Sequence, residues 1–391
     1  MNVLIFGAGS TGRGHLAALL YEHGGVNITF VDSDAALVQT LRESGSYTVR
    51  LLGGAPREIT IKGFDIFDAT EVDKIIGAFL RADLVLTAVI AENLEYLAST
   101  AAQAIKARRQ ANNSKPLNVI CCENLQNASS VLRGMTLRRL DPDCARYAED
   151  YVGFPDAIIS RVVPLAGEHP LFLLAEDYNE WFVRKKDFKG DDPGLPFMRL
   201  TDSLEALLEK KLWIHNGGHA TVAYAGILKG YTYIHEALRD EEVAALSLEA
   251  MNQIGRVISH KHGFSEIEIH EYIDCFAQRG AIEEMRDSLL RVVRDPIRKL
   301  GLGDRLMGPA LYAQSHGLPF DAITKSIANV LCYRNDNDPE SLVMYKDIAE
   351  HGPAWFLENR VGLRNDELAD AIVTAWAGNR SEVSIDPKYQ T

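Results

Sequence analysis

The sequence has few cysteines, no long run of basic residues and no long apolar run, and each of these absences argues against a class of protein. The five cysteines include no C-x-x-C pair, so we expect a reducing compartment and neither a disulfide framework nor a thiolate zinc site. The net charge is −13 and no lysine- or arginine-rich run is present, which argues against nucleic acid as the main partner. The opening apolar run breaks at Gly7, so we predict no signal peptide, no membrane span and a cytoplasmic location.

The apolar content that is present is sufficient for two hydrophobic cores. The chain has 391 residues, 47% of them apolar, whereas a single core stops growing at roughly 250 to 300 residues. In the first half, short β-branched runs alternate with helical patterns, which predicts parallel strands joined by crossover helices. Two extended runs around Gly53 and Gly54 interrupt this alternation and predict a small hairpin.

The order of these patterns predicts an α/β protein with two domains. A loop rich in Asp, Gly and Pro at residues 190–197 indicates the boundary, and beyond residue 201 the pattern is helical almost throughout. We therefore predict a Rossmann-type, doubly wound sheet in residues 1–195 and a mostly α-helical domain in residues 196–391.

A dinucleotide-binding fingerprint opens the chain. Gly7, Gly9 and Gly12 have the G-x-G-x-x-G spacing between the first predicted strand and the first helix. In this motif the first glycine forms the turn, the second admits a pyrophosphate, and the third lets helix and strand pack closely. Asp32 ends the next strand about twenty residues later, where a carboxylate accepts hydrogen bonds from a ribose and repels a 2′-phosphate. The sequence therefore predicts NAD rather than NADP as the cofactor.

Residues around the fingerprint complete the predicted cofactor site. Thr87 and Ala88 end another predicted strand and are expected beside the cofactor, whereas Arg13 is a candidate partner for a 2′-phosphate and favours NADP slightly. An ordinary glycine turn beside a buried strand is the alternative interpretation. The predicted cofactor-binding residues are Gly7, Ala8, Gly9, Ser10, Thr11, Gly12, Arg13, Gly14, Asp32, Thr87 and Ala88.

A second motif, "KLWIHNGGH" at residues 211–219, lies early in the helical half. Lys211, Asn216 and His219 have the spacing K-x4-N-x2-H, and we predict a helix end near Lys211, a restart at the glycine pair and a close approach of another group there. A lysine beside a cationic nicotinamide can accept the proton of an alcohol, and an amide such as Asn216 can stabilise the developing alkoxide. His215 and His219 would alternatively form a zinc pair, although no H-E-x-x-H glutamate or cysteine set accompanies them.

Six stretches occur along almost the whole chain in an order that allows comparison with a known family. They are FGAGSTGRG, CCENLQNAS, VGFPDAIISRVVP, DYNEWFV, KKLWIHNGGHA and RDPIRKLGLGDRL. Together they resemble the polyol-specific long-chain dehydrogenases. The resemblance implies a metal-independent, NAD-dependent enzyme that oxidises a secondary alcohol of a polyol, most closely one that interconverts a hexitol phosphate and a ketose phosphate.

The resemblance also implies roles for individual residues. Lys211 is the general acid/base, and Asn216 binds the reacting oxygen. Asn124, in the CCENL stretch, supplies a second amide for that oxygen, and His219 contacts substrate hydroxyls. We predict that the neighbouring Glu123 binds substrate as well.

The chain departs from the family pattern at three places. Ser160 replaces an acidic residue, His215 replaces an aliphatic one, and an N-P turn is absent before the "RDP" segment. These departures bear on the choice of polyol rather than on the chemistry.

Basic residues concentrate in "RDPIRKLGLGDRL" at residues 294–306. A dianionic substrate needs a local cationic site in a protein of negative net charge. We therefore predict that Arg298 and Lys299, together with Arg305, bind a phosphate or a carboxylate in its place. A solvated helix face with salt bridges to Asp295 or Asp304 is the alternative.

Two further functions stay open at this point. A non-phosphorylated mannitol dehydrogenase or a hexuronate (mannonate, tagaturonate) oxidoreductase belongs to the same superfamily. A catalytically silent, NAD-responsive binding protein is a hypothesis from another class, and only Ser160 supports it. In each case the expected partner is a small molecule, either a polyol or a sugar phosphate, and neither nucleic acid nor a membrane.

Overall fold

The computed structural model describes residues 1–90, 93–123, 125, 127–164 and 169–382. The chain divides into two compact units, Met1–Leu204 and Glu205–Thr391. The predicted boundary at residues 195/196 falls earlier, because strand β12 (Arg199–Thr201) pairs with strand β11 (Glu180–Arg184) of the first unit. None of the described helices combines the length and the apolar character needed to cross a membrane.

A six-stranded sheet, in which all neighbouring strands are parallel, forms the centre of the first unit. The strand order is β5-β2-β1-β6-β7-β8, so the direction of winding reverses between β1 and β6. In such sheets ligands bind at this reversal, beyond the carboxyl ends of the strands. The strands are β1 (Asn2–Phe6), β2 (Asn27–Asp32), β5 (Asp65–Asp68), β6 (Leu84–Thr87), β7 (Leu117–Cys121) and β8 (Val152–Gly153).

The sheet is covered on both faces, as the doubly wound prediction requires. Side chains of successive strand residues point to opposite faces. Val3 and Ile5 of β1 accordingly lie in one hydrophobic core, and Leu4 and Phe6 lie in a second one. The covering helices are α1 (Ala18–His23), α2 (Ala35–Ser44), α3 (Val72–Arg81), α4 (Leu94–Gln110), α5 (Ala128–Leu137) and α6 (Pro142–Tyr151).

Local signals in the sequence set the ends of these helices. The carboxylate of Asp34 accepts hydrogen bonds from the amides of Ala36 and Leu37, which fixes the start of α2. The same helix ends at Gly45 in the left-handed conformation, φ +62°. A π-helical segment, Gly12–Ala17, precedes α1.

Two small sheets complete the first unit. The hairpin predicted around the glycine pair is confirmed, since β3 (Ser46–Leu52) and β4 (Arg57–Lys62) are antiparallel, and β10 (Phe172–Glu176) adds to β3 in parallel. The second small sheet has the order β12-β11-β9, with β9 at Ala157–Ser160 antiparallel to β11. Ser160, one of the departures from the family pattern, is buried at the end of β9 opposite Glu180.

The second unit is built from helices around α8. Gly, Ala, Val and Tyr residues of α8 are buried nearly all round the helix, which is typical of a helix in a protein interior, and α10, α12 and α15 pack against it. The predicted helical character of this half is confirmed. Its helices are α7 (Leu204–Lys210), α8 (Asn216–Leu228), α9 (Ile234–Ala237), α10 (Glu241–His262), α11 (Glu266–Gly280), α12 (Leu289–Val293), α13 (Pro296–Lys299), α14 (Met307–Ser315), α15 (Asp321–Cys332), α16 (Pro339–His351), α17 (Pro353–Phe356) and α18 (Asp366–Glu382).

Candidate active site

The glycine-rich loop after β1 has the geometry that a dinucleotide fingerprint requires. Gly7 has φ +97°, and a Cβ atom there would lie 2.3 Å from the carbonyl oxygen of Ala88. A Cβ atom on Gly12 would lie 1.9 Å from the carbonyl oxygen of Gly7, so neither position accepts a larger residue. No described atom lies within 4 Å of a Cβ built on Gly9, so the loop is open to a ligand at this residue.

Asp32, at the end of β2, is tied to this loop. Its Oδ2 accepts a hydrogen bond from the amide of Ala8 at 2.6 Å, and its Oδ1 accepts one from the amide of Asp34 at 2.9 Å. A carboxylate has about four acceptor sites, so capacity for ribose hydroxyls remains. The half-buried carboxylate lines a cavity of about 440 Å³ at the carboxyl ends of β1, β2 and β6. Four of the predicted cofactor residues line this cavity, namely Gly7, Gly9, Asp32 and Ala88.

Arg13 lies behind the loop, and its position argues against the predicted contact with the cofactor. The side chain is buried, its Nε donates to the carbonyl oxygen of Ala8 at 2.5 Å, and its guanidinium also donates to the carbonyl oxygen of Pro170. Burial lowers the pKa of this guanidinium. Arg13 therefore supports the loop from within and gives no reason to expect a 2′-phosphate. The remaining loop residues are Ser10 and Thr11, which are half-buried, and Gly12 and Gly14, which are buried.

Thr87 is turned away from the cavity and toward Glu123. The Thr87 hydroxyl donates to Oε1 of Glu123 at 2.5 Å, and the amide of Val89 donates to the same oxygen at 3.1 Å. Oε2 of Glu123 is buried and has no partner among the described residues, and burial raises the pKa of this carboxyl group. Because an unpartnered buried oxygen is costly, Oε2 marks a position that a ligand group could complete. Asn124, predicted to act on the reacting oxygen, lies outside the described residues.

A π-helical segment, Lys211–His215, connects α7 to α8 and explains the spacing of the second motif. The amide of Asn216 donates to the carbonyl oxygen of Lys211, five residues earlier. Residues five apart face the same side of a π-turn, and residues three apart share a face of an α-helix. Lys211, Asn216 and His219 therefore lie on one side of a continuous helix. The predicted helix end at Lys211 is wrong, and π-turns of this kind are frequent at functional sites.

The two glycines of the motif lie inside α8, where neighbouring groups exclude a side chain. A Cβ atom on Gly217 would lie 2.8 Å from the carbonyl oxygen of Arg305, and one on Gly218 would lie 2.4 Å from Sδ of Met251. The prediction of a close approach to the glycine backbone is confirmed. The approaching groups belong to the loop after α13 and to α10, and the chain does not restart at the glycines.

The two histidines of the motif have different surroundings. Nε2 of His219 lies 3.0 Å from Oδ2 of Asp287. The rings of His215 and His219 are 5.8 Å apart, and both meet Phe276 edge to face. Burial, followed by the nearby charge of Arg279 and of the motif residues, holds the pKa of His215 well below its usual value. His215 is therefore neutral in the physiological range, and the positive charge around it is carried by its neighbours.

The basic segment before and after α13 divides into two parts. Lys299 is buried, and among the described residues no carboxylate forms an ion pair with it. Burial, followed by the positive charges of Arg305 and Arg298, lowers the pKa of Lys299 to about 8. Arg305 is largely buried, and its Nε donates a hydrogen bond to Oδ1 of Asp304 at 2.7 Å. The backbone oxygen of Arg305 is the atom that approaches Gly217 of the motif. Arg298, by contrast, is 54% exposed and 3.6 Å from Asp295. The structure thus places the backbone of Arg305 beside the motif, Lys299 near Arg305, and Arg298 at the surface.

Two sequence profiles identify the family to which these features belong. The profile of the mannitol dehydrogenase Rossmann domain matches residues 1–196, and the profile of the mannitol dehydrogenase C-terminal domain matches residues 203–377. The chain belongs to the mannitol dehydrogenase family. The predicted polyol dehydrogenase family, its NAD-dependent enzyme class and the NAD cofactor are confirmed by this membership.

Two solved structures share the fold of this mannitol dehydrogenase family member. A D-sorbitol dehydrogenase in substrate-free form has a TM-score of 0.82 and 17% identity, covering 97% of this chain and 93% of that chain. A Pseudomonas fluorescens mannitol 2-dehydrogenase in ternary complex with NAD and D-mannitol has a TM-score of 0.75 and 18% identity, covering 98% and 92%. At this level of identity the likeness concerns the fold.

Sequence reasoning missed Asp287, whose carboxylate engages the motif histidine. The sequence signal at this position is an acidic residue four places before Arg291, and such a pair predicts only a local ion pair on a helix. The contact with His219 depends on tertiary packing. Among the described residues, no three His, Cys, Asp or Glu side chains form a group suited to a metal ion.

Proposed function

We propose that this mannitol dehydrogenase family member interconverts D-mannitol 1-phosphate and D-fructose 6-phosphate with NAD, the reaction of a mannitol-1-phosphate 5-dehydrogenase. The observation that carries the proposal is the π-turn, which puts Lys211, Asn216 and His219 on one side of a helix. The resemblance of all six sequence stretches to this branch of the family supports the phosphorylated substrate.

In the direction of oxidation, Lys211 removes the proton of the substrate hydroxyl as a neutral amine. When bound, NAD would supply the hydride acceptor for the carbon that bears this hydroxyl. Asn216 donates a hydrogen bond to the oxygen on which negative charge develops, and Asn124 supplies a second amide to it. In the direction of reduction, protonated Lys211 returns the proton to that oxygen.

The residues of the first unit fit NAD. Gly9 leaves the loop open for a pyrophosphate, and the cavity at the strand ends accommodates the adenosine half. Asp32 would accept hydrogen bonds from ribose hydroxyls and repel a 2′-phosphate. Oε2 of Glu123, which has no partner among the described residues, would accept a hydrogen bond from a bound molecule. We assign that donor to the substrate, in line with the sequence prediction for Glu123.

Lys299 and Arg305 are the residues that would bind the substrate phosphate. A buried lysine is nearly always paired, yet Lys299 forms no ion pair with a carboxylate among the described residues, and the charges of Arg305 and Arg298 near it outweigh those of Asp295 and Asp304. A dianion satisfies both Lys299 and Arg305. Arg298, exposed beside Asp295, would add long-range attraction rather than a direct contact.

A non-phosphorylated polyol is the second candidate, and it has a specific observation in its favour. The two solved structures described above carry the names of enzymes for sorbitol and mannitol, which have no phosphate. A hexuronate is the third candidate, because its carboxylate would take the place of the phosphate beside Lys299 and Arg305. The catalytically silent binding protein is the weakest candidate, since Ser160, on which it rests, is buried at the end of β9 opposite Glu180.

Oxidation of NADH by the purified protein with fructose 6-phosphate, fructose and fructuronate separates these candidates. The proposal predicts the highest kcat/KM with fructose 6-phosphate. A preference for fructose or fructuronate would replace the proposed substrate by that of the corresponding alternative. Tight NADH binding without turnover of any of the three would contradict this substrate assignment and return the silent binding protein to consideration.

A further inference from the structure

Asp287 and His219 form a closely held pair within the helical unit. Nε2 of His219 and Oδ2 of Asp287 are 3.0 Å apart, and the two side chains are only 16% and 15% exposed. The imidazole is also held by an edge-to-face contact with Phe276, with ring centroids 6.1 Å apart. The imidazole of His219 is therefore held by the carboxylate of Asp287 at Nε2 and by packing against the ring of Phe276.

The carboxylate of Asp287 is itself held in place. Its Oδ1 accepts two hydrogen bonds from Arg291, at 2.9 Å from Nε and at 2.6 Å from the terminal nitrogen. The backbone oxygen of Asp287 accepts a hydrogen bond from the amide of Ile234 at 2.9 Å. Burial acts to raise the pKa of Asp287, but the hydrogen bond from His219 and the charge and hydrogen bond of Arg291 outweigh it and lower the pKa to about 2.

We propose that Asp287 is a positioning residue that holds His219 in one tautomer, with the proton on Nε2 and Nδ1 presented as a hydrogen-bond acceptor for a substrate hydroxyl. This inference rests on the proposed function, in which His219 contacts the polyol. The inference adds that His219 accepts, rather than donates, the hydrogen bond with the substrate hydroxyl, and that Asp287 fixes this role.

The tautomer follows from the chemistry of the pair. An ionised carboxylate only accepts hydrogen bonds, so the ring nitrogen that faces it must carry a proton. In a neutral imidazole the other nitrogen is then an acceptor. A polyol hydroxyl can donate to that acceptor while its own oxygen stays available to donors such as Asn216. The Asp287–His219 pair therefore recognises a substrate hydroxyl through Nδ1, and Lys211 remains the residue that transfers the proton.

The tautomer can be observed directly. In long-range ¹H–¹⁵N spectra of the ¹⁵N-histidine-labelled protein at pH 9, with His219→Gln to assign the signal, wild-type His219 should show a protonated Nε2 and an unprotonated Nδ1. In Asp287→Asn the amide can either accept from Nε2 or donate to it, so a mixture of both tautomers is expected.

The kinetic consequence concerns the ketose rather than the cofactor. Loss of one well-placed hydrogen bond should raise the KM of Asp287→Asn for its preferred ketose about tenfold. The affinity for NADH, measured by fluorescence titration, should stay unchanged because the fingerprint lies in the first unit. Arg291→Gln, which keeps the carboxylate but removes its support, should change KM in the same direction and less.

Asp347 offers a matched control. It is 14% exposed, pairs with Arg360 at 2.6 Å and has no histidine partner in the described part of the chain, so Asp347→Asn removes a carboxylate of the same burial that is also paired with an arginine. KM and the His219 tautomer should both be unchanged in this variant, whatever the loss of stability.

Several results would overturn the proposal. A wild-type His219 protonated on Nδ1 would do so, and so would Asp287→Asn with the tautomer and KM of the wild type. A higher KM without a change of tautomer would make Asp287 a purely structural residue. If wild type reduces none of the three ketoses, the proposed substrates fail, while the tautomer comparison still decides the role of Asp287.

Discussion

Individual carboxylates at the strand ends combine a structural role with a predicted binding role. Asp32 accepts a hydrogen bond from the amide of Ala8 and still lines the cavity. One oxygen of Glu123 accepts hydrogen bonds from Thr87 and Val89, and the other has no partner among the residues that the structure describes. A substitution at either residue changes the loop and the ligand contact together. Isosteric replacements are therefore needed to separate the two effects.

Replacing Asp32 by Asn should narrow the preference for NAD over NADP. Asn keeps an oxygen for the amide of Ala8 but removes the negative charge that would repel a 2′-phosphate. The ratio of kcat/KM values for NADH and NADPH measures this preference. Asp65→Asn, at an exposed carboxylate on β5, should leave the ratio unchanged. An unaltered ratio in the Asp32 variant would remove Asp32 from the cofactor site.

The charge of Lys299 should make binding of a phosphorylated substrate depend on pH. Because its pKa is lowered to about 8, Lys299 is charged below this pH and loses its proton as the pH rises through it. The KM for fructose 6-phosphate should therefore increase between pH 7 and pH 9, and the KM for fructose should not. In Lys299→Arg the charge persists and the increase should disappear. Identical profiles for the two proteins would assign the phosphate to other residues.

At the residue scale, the sequence predicted functions best where a local motif determines them. The roles of Gly7, Gly9 and Gly12 follow from spacing and backbone geometry alone. The ligand contact of Arg13 stays a prediction, and the structure argues against it, because the guanidinium turns inward toward two carbonyl oxygens, which a sequence does not show. Asp287 was missed since its partner is distant in the chain.

At the scale of the element, the π-turn before α8 is the feature on which the motif depends. The spacing K-x4-N is unsuited to one face of an α-helix but suited to a hydrogen bond over five residues. Gly217 and Gly218 then allow the loop after α13 and helix α10 to approach α8 closely. Helical period, strand alternation and capping residues predicted most other elements. A π-turn adds one residue to a single helical turn, and this leaves no comparable pattern in the sequence.

The two glycines should respond differently to alanine. The Cβ of Gly217→Ala meets the backbone oxygen of Arg305, which cannot move alone, so we expect a loss of about 1–3 kcal/mol in the free energy of unfolding together with lower turnover. The Cβ of Gly218→Ala meets the flexible side chain of Met251. Adding Gly218→Ala to Met251→Ala should therefore cost less stability than adding it to wild type.

Denaturant unfolding of the four proteins in the Gly218/Met251 cycle gives this comparison. Gly217→Ala in the Met251→Ala background serves as the matched control and should cost as much as in wild type. Equal costs for Gly218→Ala in both backgrounds would show that the contact with Met251 is not what requires glycine.

At the scale of the molecule, a net charge of −13 is combined with a local concentration of positive charge beside the motif. The composition argued for two domains and the chain divides into two compact units, while the family and the cofactor followed from motifs near the start of each unit. The structure divides the chain after Leu204 rather than at the predicted 195/196, because a short strand, β12, pairs within the first unit after the Pro- and Gly-rich loop; the two family profiles meet between residues 196 and 203. The choice of polyol depends on few side chains and has no signature in composition.

Activity should not depend on a bound metal ion. His219 directs Nε2 to Asp287, and proton transfer is assigned to Lys211, so no step of the proposed reaction uses a metal. Initial rates after dialysis against a strong chelator should equal those of the untreated protein. Loss of activity that zinc alone restores would instead support a metal site at His215 and His219.

The role of Lys211 is the central claim, and Lys211→Met tests it most directly because methionine keeps the length of the side chain without the amine. Removal of the general acid/base should lower turnover by about 10²- to 10⁴-fold. NADH affinity, measured by fluorescence titration on the same preparation, should be that of the wild type, since the fingerprint lies in the first unit. Turnover of Lys211→Met close to that of the wild type with the preferred ketose would contradict the account.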